Sequence, residues 1–367
     1  MHFGQCVIPA ASAIREILKF TSMPGVISFA AGNPASEAFP VDHIRQISAD
    51  LLQKDPLLAL QYNITEGYPK LRELLKKRME AQQCFDPSAD DLITTSGAQQ
   101  ANELACKVLL NRGDTMLCES PSFIGSLNAF RSYGVNLVGV PMEQDGMDLN
   151  ALEEALRTSR NPKLIYVIPN FQNPTGRVMS LEKRKGLYEL ACRYNVVILE
   201  DNPYGDLRFA GTPVPSIKSM DTEHRVIYSG TFSKILAPGL RVGYVSAPAE
   251  IISKITVCKQ VSDVHSNIWA QAVCAQFLEE TDMDAYLEGL REVYRHKCEL
   301  MIAECASISP RRSAGRNRRA VCSSGAPCRR TATCLHSASV PFRSTRSLSF
   351  RETLFWWMRH SPARPSA

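Results

Sequence analysis

Long apolar runs are missing from this chain of 367 residues, and with them any segment that could cross a bilayer as a helix. The opening stretch, Met1 to Ala13, has neither a basic start nor a clean apolar core, so no secretory signal is expected. The twelve cysteines are scattered and form no Cys-x-x-Cys pair. In a chain this long, that pattern predicts reduced thiols in the cytoplasm rather than a disulfide framework. No internal repeat is visible. Acids and lysine are scarce in one place only. Residues 306–367 hold twelve arginines, no lysine and the single acid Glu352. The formal charge of +5 therefore hides two compositions: residues 1–305 carry −6 and the tail carries +11.

What is present fits an enzyme-like body. Its length can bury a large core, with one big domain and a smaller one as the natural division. Hydrophobic content is 44%, ordinary for a soluble protein. Short apolar runs alternate with helical patterns, which predicts a mostly parallel central sheet flanked by helices, an α/β fold. Expected strands are Leu92–Thr95, Thr115–Cys118, Leu164–Ile168, Val196–Leu199, Val226–Tyr228 and Val242–Ser246. Leu181–Asn195 carries apolar residues at helical spacing, and a long helix is expected from about Ala285 to Glu304. Ser12–Leu18 reads as a short helix.

The densest chemical signal is Tyr228-Ser-Gly-Thr-Phe-Ser-Lys234, continued by Ile-Leu-Ala-Pro-Gly-Leu-Arg241-Val-Gly243. A lysine just past an apolar strand is partly desolvated, which lowers its pKa and suits it to attack a carbonyl. The hydroxyls and Arg241 around it suit a phosphate dianion. This run resembles the fold-type I pyridoxal-phosphate aminotransferases, and Ser-x-x-x-Pro-Gly-Leu-Arg-x-Gly is specific to them. Ser12-Ala-Ile-Arg-Glu-Ile-Leu18, Ser96-Gly-Ala-Gln-Gln100 and Glu200-Asp-Asn-Pro-Tyr204 resemble the 2-aminoadipate, kynurenine and aromatic group within that family. Certain bacterial transcription regulators share these motifs behind a winged-helix domain. Here the resemblance begins near residue 12, so such a domain is not expected.

The resemblance implies roles for particular residues. Lys234 is the catalytic amine that carries pyridoxal 5′-phosphate. Asp201 pairs with the pyridine nitrogen, while Tyr204 and Asn173 donate to the phenolic oxygen. Phe123 stacks on the ring. Ala98 and Gln99 give backbone N–H groups to the phosphate, and Thr231, Ser233 and Arg241 complete that cup. Tyr62 reaches the phosphate of a neighbouring subunit, which implies a homodimer with shared sites. Gly32 and Asn173 lie on the substrate side. Taken singly, Asp201 also suits a turn or helix cap, Asn173-Pro174 a plain turn, Phe123 a core position and Tyr62 an ordinary half-buried site. Their company with Lys234 favours the functional reading. No metal is expected.

Four segments are expected along the chain: an arm with a small-domain piece (1–45), the large cofactor-binding domain (46–280), a helix into the small domain (281–305), and an aberrant basic tail (306–367), expected to be disordered. Three readings of the tail compete. It is a basic nucleic-acid arm, a zinc site made by Cys322, Cys328, Cys334 and His336, or the product of a shifted reading frame. The cysteine spacing matches no common zinc pattern. Allowed codons cut one base early turn Arg319–Gly325 into Gly-Gly-Met-Phe-Ile-Trp and Arg346–Phe355 into Val-Ala-Phe-Val-Pro-Gly-Asn-Ala-Phe. Both resemble the family's small-domain segments in the right order, which favours the shifted frame. Neither nucleic acid nor a membrane is then expected as a partner. The family's C-terminal arginine, which clamps the substrate carboxylate, has no counterpart. Such a contact contributes roughly 10- to 150-fold in an equilibrium constant.

The expected activity is ping-pong transfer of an amino group from an amino acid to a 2-oxo acid, impaired by the altered C-terminus. A non-catalytic protein on the same scaffold, basic-tailed or not, and a lyase or decarboxylase are the alternatives.

Overall fold

The computed structural model describes residues 32–308. The Ser12–Leu18 segment, most of Gly25–Pro34 and the tail with its cysteines lie outside the described residues.

Among the described residues eight strands make one sheet: β1 (Asp90–Thr95), β2 (Thr115–Ser120), β3 (Asn136–Glu143), β4 (Gly146–Met147), β5 (Pro162–Val167), β6 (Val197–Asp201), β7 (Val226–Thr231) and β8 (Gly243–Pro248). Their order is β1-β8-β7-β6-β5-β2-β3-β4. From β3 through β2, β5 and β6 to β7 every pairing is parallel, and the β7–β8, β8–β1 and β3–β4 pairings are antiparallel.

Both faces of the sheet are covered, as a parallel sheet requires. The two-residue period of β5 divides its side chains between them. Leu164 and Tyr166 pack with Leu104, Phe130 and Ile252 on one face. Ile165 and Val167 pack with Leu152, Leu187 and Leu190 on the other. The helices Ala98–Leu109 and Ala249–Asp263 cover the first face; Leu149–Thr158 and Leu181–Arg193 cover the second. The two helices on the second face start on a polar cap. Ser180 Oγ accepts from the Lys183 N–H, and Asp148 accepts from Asn150 and Ala151. A further apolar cluster joins Leu71, Leu75 and Met79 of the helix Pro69–Ala81 to Phe232 and Val242 at the β7–β8 end.

The last described element is the helix Met283–Ile308. Its Leu287, Leu290 and Tyr294 pack on Leu207, with Ala35 and Ala38 alongside. Tyr294 Oη accepts from the Ala35 N–H at 3.3 Å, and Arg291 Nε donates to the Asp206 carbonyl at 2.9 Å. This helix therefore ties together the chain just after Gly32 and the chain just after Tyr204.

All six expected strands are present, with ends moved by at most three residues. The expected helices begin and end within a few residues of Leu181–Arg193 and Met283–Ile308. The sequence reading missed β3 and β4. The first is a mostly solvent-facing strand with Gly139 and Pro141 inside it, and the second is two residues long.

Candidate active site

Open α/β sheets leave a crevice beyond the carboxyl ends of their parallel strands. Here β6 ends at Asp201, its neighbour β7 ends at Thr231, and the turn after β7 carries Ser233 and Lys234. The Asn173 loop follows β5. Three adjacent strands thus deliver a carboxylate, an amine and an amide to one edge.

Lys234 is half-buried. Its Nζ donates to the Gly32 carbonyl at 3.1 Å and lies 5.9 Å from the centre of the Tyr204 ring. Tyr204 is buried, and Asn173 Nδ2 donates to its hydroxyl at 3.4 Å. Gly32, Lys234, Tyr204 and Asn173 therefore form one continuous group.

Asp201 is 4% exposed. Its Oδ2 accepts from Asn102 Nδ2 at 2.7 Å and from Tyr166 Oη at 2.8 Å. Its Oδ1 is buried with no partner. Burial pushes the carboxyl up to about 6, against the two hydrogen bonds that lower it. Asn102 and Tyr166 also share Ser126 Oγ, so all three supports are themselves fixed. The sequence reading missed this support. Its signal was present: an asparagine on the apolar face of the helix Ala98–Leu109, and a tyrosine inside an otherwise aliphatic strand.

A third group sits at the start of the helix Ala98–Leu109. Gly97 is its N-cap residue, at φ 77°, and no side chain caps the helix. Its first N–H groups, at Ala98 and Gln99, stand at the positive end of the helix dipole. Arg241 Nη2 donates to the Ser96 carbonyl at 3.1 Å, and Nη1 reaches Ser233 Oγ at 3.4 Å. Thr231 Oγ1 donates to Ser233 Oγ at 2.9 Å. A side chain at Gly97 would collide with the Arg241 guanidinium, and one at Gly243 would lie 2.6 Å from the Gly97 carbonyl carbon. Helix N-terminus, two hydroxyls and one guanidinium therefore converge because two glycines let the backbones close up. Such a cup binds a phosphate dianion. Behind it, Asp263 Oδ2 accepts from Ser96 Oγ and Gln100 Nε2, while Asp263 Oδ1 pairs with the buried Lys259 at 2.7 Å.

Phe123 precedes the helix Ile124–Ser132. It is half-buried against the same apolar cluster as Tyr166 and Tyr204, and its ring lies so close over Gly125 that a Cβ there would meet it at 2.5 Å. Tyr62 stands on the surface, 81% exposed, its ring edge-on to His265 at 5.8 Å.

These residues fit pyridoxal 5′-phosphate. The unpartnered oxygen of Asp201 needs a donor, which a protonated pyridine nitrogen supplies. The cup fits the phosphate, and the half-buried amine fits the aldehyde carbon. Among the described residues no cluster of metal ligands occurs, and no helix is long and apolar enough to cross a membrane.

Comparison with known proteins agrees. The family model for aminotransferase class I and II matches residues 24–322. An aromatic-amino-acid aminotransferase of Thermococcus litoralis is 40% identical over 304 residues, 82% of this chain and 73% of the relative. A 2-aminoadipate transaminase of Thermus thermophilus is 39% identical over 80% of this chain and 72% of its own length. The solved structure of a Pyrococcus horikoshii kynurenine aminotransferase in complex with PMP superposes with a TM-score of 0.79 at 36% identity, covering 83% of this chain and 76% of that one. The chain belongs to the aminotransferases of class I and II.

Proposed function

We propose that this chain carries a pyridoxal 5′-phosphate-dependent transamination site for 2-aminoadipate, aromatic or similar amino acids, with a 2-oxo acid as acceptor. The observation that carries it is Asp201: buried, half-saturated by Asn102 and Tyr166, and one strand away from the strand leading to Lys234. The named relatives support the substrate class.

When bound, pyridoxal phosphate supplies the electron sink for loss of a substrate α-proton. Lys234 Nζ anchors the cofactor's aldehyde carbon. Freed by an incoming amino acid, the same Nζ would be the base that takes up and returns the substrate's α-proton. Asp201 holds the proton on the pyridine nitrogen. Asn173 and Tyr204 orient the phenolic oxygen, and Phe123 stacks on the ring face. Ala98, Gln99, Thr231, Ser233 and Arg241 take the phosphate. Gly32 and Asn173 flank the substrate.

The subunit pairs with a second copy. Tyr62 and the neighbouring Leu57 and Leu60 of the short helix Pro56–Leu60 are all strongly exposed, a patch that supports a covered interface. In that pair Tyr62 serves the partner's phosphate. The division into arm, large domain, connecting helix and aberrant tail at residues 45, 280 and 305 is part of the same proposal, as is the shifted frame after Cys305. Turnover by the chain with this tail is expected to be poor.

The test is an absorbance spectrum of the purified chain with pyridoxal phosphate, before and after 2-aminoadipate. A yellow band that bleaches with the donor, and that Lys234→Ala lacks, supports the reading. No band in the unmodified chain contradicts it.

A further inference from the structure

One buried amide joins the two loops that carry the proposed ring contacts. Gln172 is 1% exposed and lies just before Asn173. Its Nε2 donates to the Pro121 carbonyl at 2.8 Å and to Glu119 Oε2 at 3.1 Å. Its Oε1 accepts from the Thr175 N–H at 3.0 Å and the Thr175 hydroxyl at 2.7 Å. Every hydrogen-bonding site of the amide is therefore used. One end grips the Ser120–Phe123 turn, and the other grips the turn that begins at Asn173.

Glu119 fixes the amide in turn. It is 2% exposed at the end of β2, and its Oε2 also accepts from the Ile168 N–H at 3.1 Å. That N–H is where the chain leaves β5 toward Asn170, Phe171 and Gln172. The main chain of Gln172 adds two bonds across the same turn, to the Arg177 carbonyl at 2.8 Å and from the Gly176 N–H at 2.6 Å. Phe171, fully buried, takes a φ of 51°, so the turn is held in a conformation its own residues do not favour.

We propose that Gln172, held by Glu119, is the positioning residue that sets Asn173 and Phe123 relative to each other, and so fixes both the edge and the face of the cofactor ring. It touches neither cofactor nor substrate; it acts through those two residues. The inference rests on the roles proposed above for Asn173 and Phe123. The Gln172 side chain is bonded to the turns that carry both.

The experiment is a pH titration of the visible band of bound pyridoxal phosphate, together with its dissociation constant. A donor at the phenolic oxygen lowers the pH at which that band changes, so losing the donor raises the midpoint. Asn173→Ala gives the reference shift. Gln172→Met keeps side-chain length and loses all four bonds. It is expected to raise the midpoint by about one pH unit, the equivalent of one misplaced hydrogen bond, and to weaken binding about tenfold. In the Asn173→Ala background the same substitution is expected to add little to the midpoint, because Gln172 works through Asn173. Thr175→Val removes a single donor to Gln172 and serves if Gln172→Met does not fold; a shift in the same direction is expected. If Asn173→Ala shifts the band and neither Gln172→Met nor Thr175→Val does, or if the shifts add in full, the inference is wrong and the Asn173 assignment stands. If Asn173→Ala itself leaves the midpoint unmoved, the assignment fails and takes the inference with it.

Discussion

Asp201 is held at a cost. Its carboxyl titrates near 3.8 when unperturbed, and burial raises that to about 6 in the fold. Between those two values the folded chain binds more protons than the unfolded one. The contribution of Asp201 to the stability of the cofactor-free protein therefore falls as pH rises through this window, and the loss persists above it. The span is on the order of 3 kcal/mol. Asp201→Asn removes the titration and keeps an acceptor for Asn102 and Tyr166. Its cofactor-free melting temperature is expected to fall less from pH 4 to 6 than that of the unsubstituted chain and to lie above it at pH 7, while the donor-dependent bleaching is lost. Calorimetry across pH checks the first part, and a variant that tracks the parent chain refutes it. The named site residues were legible because their chemistry is tied to short motifs. Lys234, Ser233 and Arg241 share one run, and Asp201 and Tyr204 share another. The partners of Asn102, Tyr166 and Gln172 were not legible, because a polar group inside a helix, a strand or a loop shows what it bonds only after folding. The orphan oxygen of Asp201 is invisible in sequence for the same reason.

At the scale of elements, the phosphate cup depends on how closely β8 approaches the helix Ala98–Leu109. Gly243 faces β1 at Thr95 and β7 at Thr231, so it lies where two strand ends and the helix start meet. Gly243→Ala sets a methyl group against the Gly97 backbone, which cannot swing aside as a side chain would. Overpacking of this kind costs about 1–3 kcal/mol. Affinity for pyridoxal phosphate is expected to fall by roughly tenfold or more. Affinity for pyridoxal, which has no phosphate, is expected to change little. Equal losses for both ligands would mean that the cup is not what the glycine protects. The central strands were readable from sequence because β5, β6 and β7 are buried on both faces, and near-continuous apolar runs follow. The far edge was not. In β3 only Val140 is buried, so tertiary pairing with β2, rather than its own pattern, makes it a strand.

For the whole molecule, the exposed Leu57, Leu60 and Tyr62 set the prediction. Sedimentation is expected to report a dimer, and Leu57→Glu with Leu60→Glu is expected to shift it toward monomer. A monomer in the unsubstituted chain would remove the basis for a shared site. Recoding the chain after Cys305 in the proposed alternative frame is expected to raise turnover without altering the yellow band, since all the proposed site residues precede residue 242. The body's α/β class was legible from alternation alone, whereas the contact between the helix Met283–Ile308 and Ala35 joins distant segments that no local pattern links. The Gly32–Lys234 hydrogen bond has a consequence for folding. Its partners are 202 residues apart. Closing so long a loop carries an entropic cost that contacts repay only once most of the sheet exists, so this corner of the site forms late. A ligand that needs the finished site cannot guide the early steps. Pyridoxal phosphate in a refolding buffer is therefore expected to leave the first collapse unchanged and to raise the final yield, by drawing off a state that would otherwise reopen.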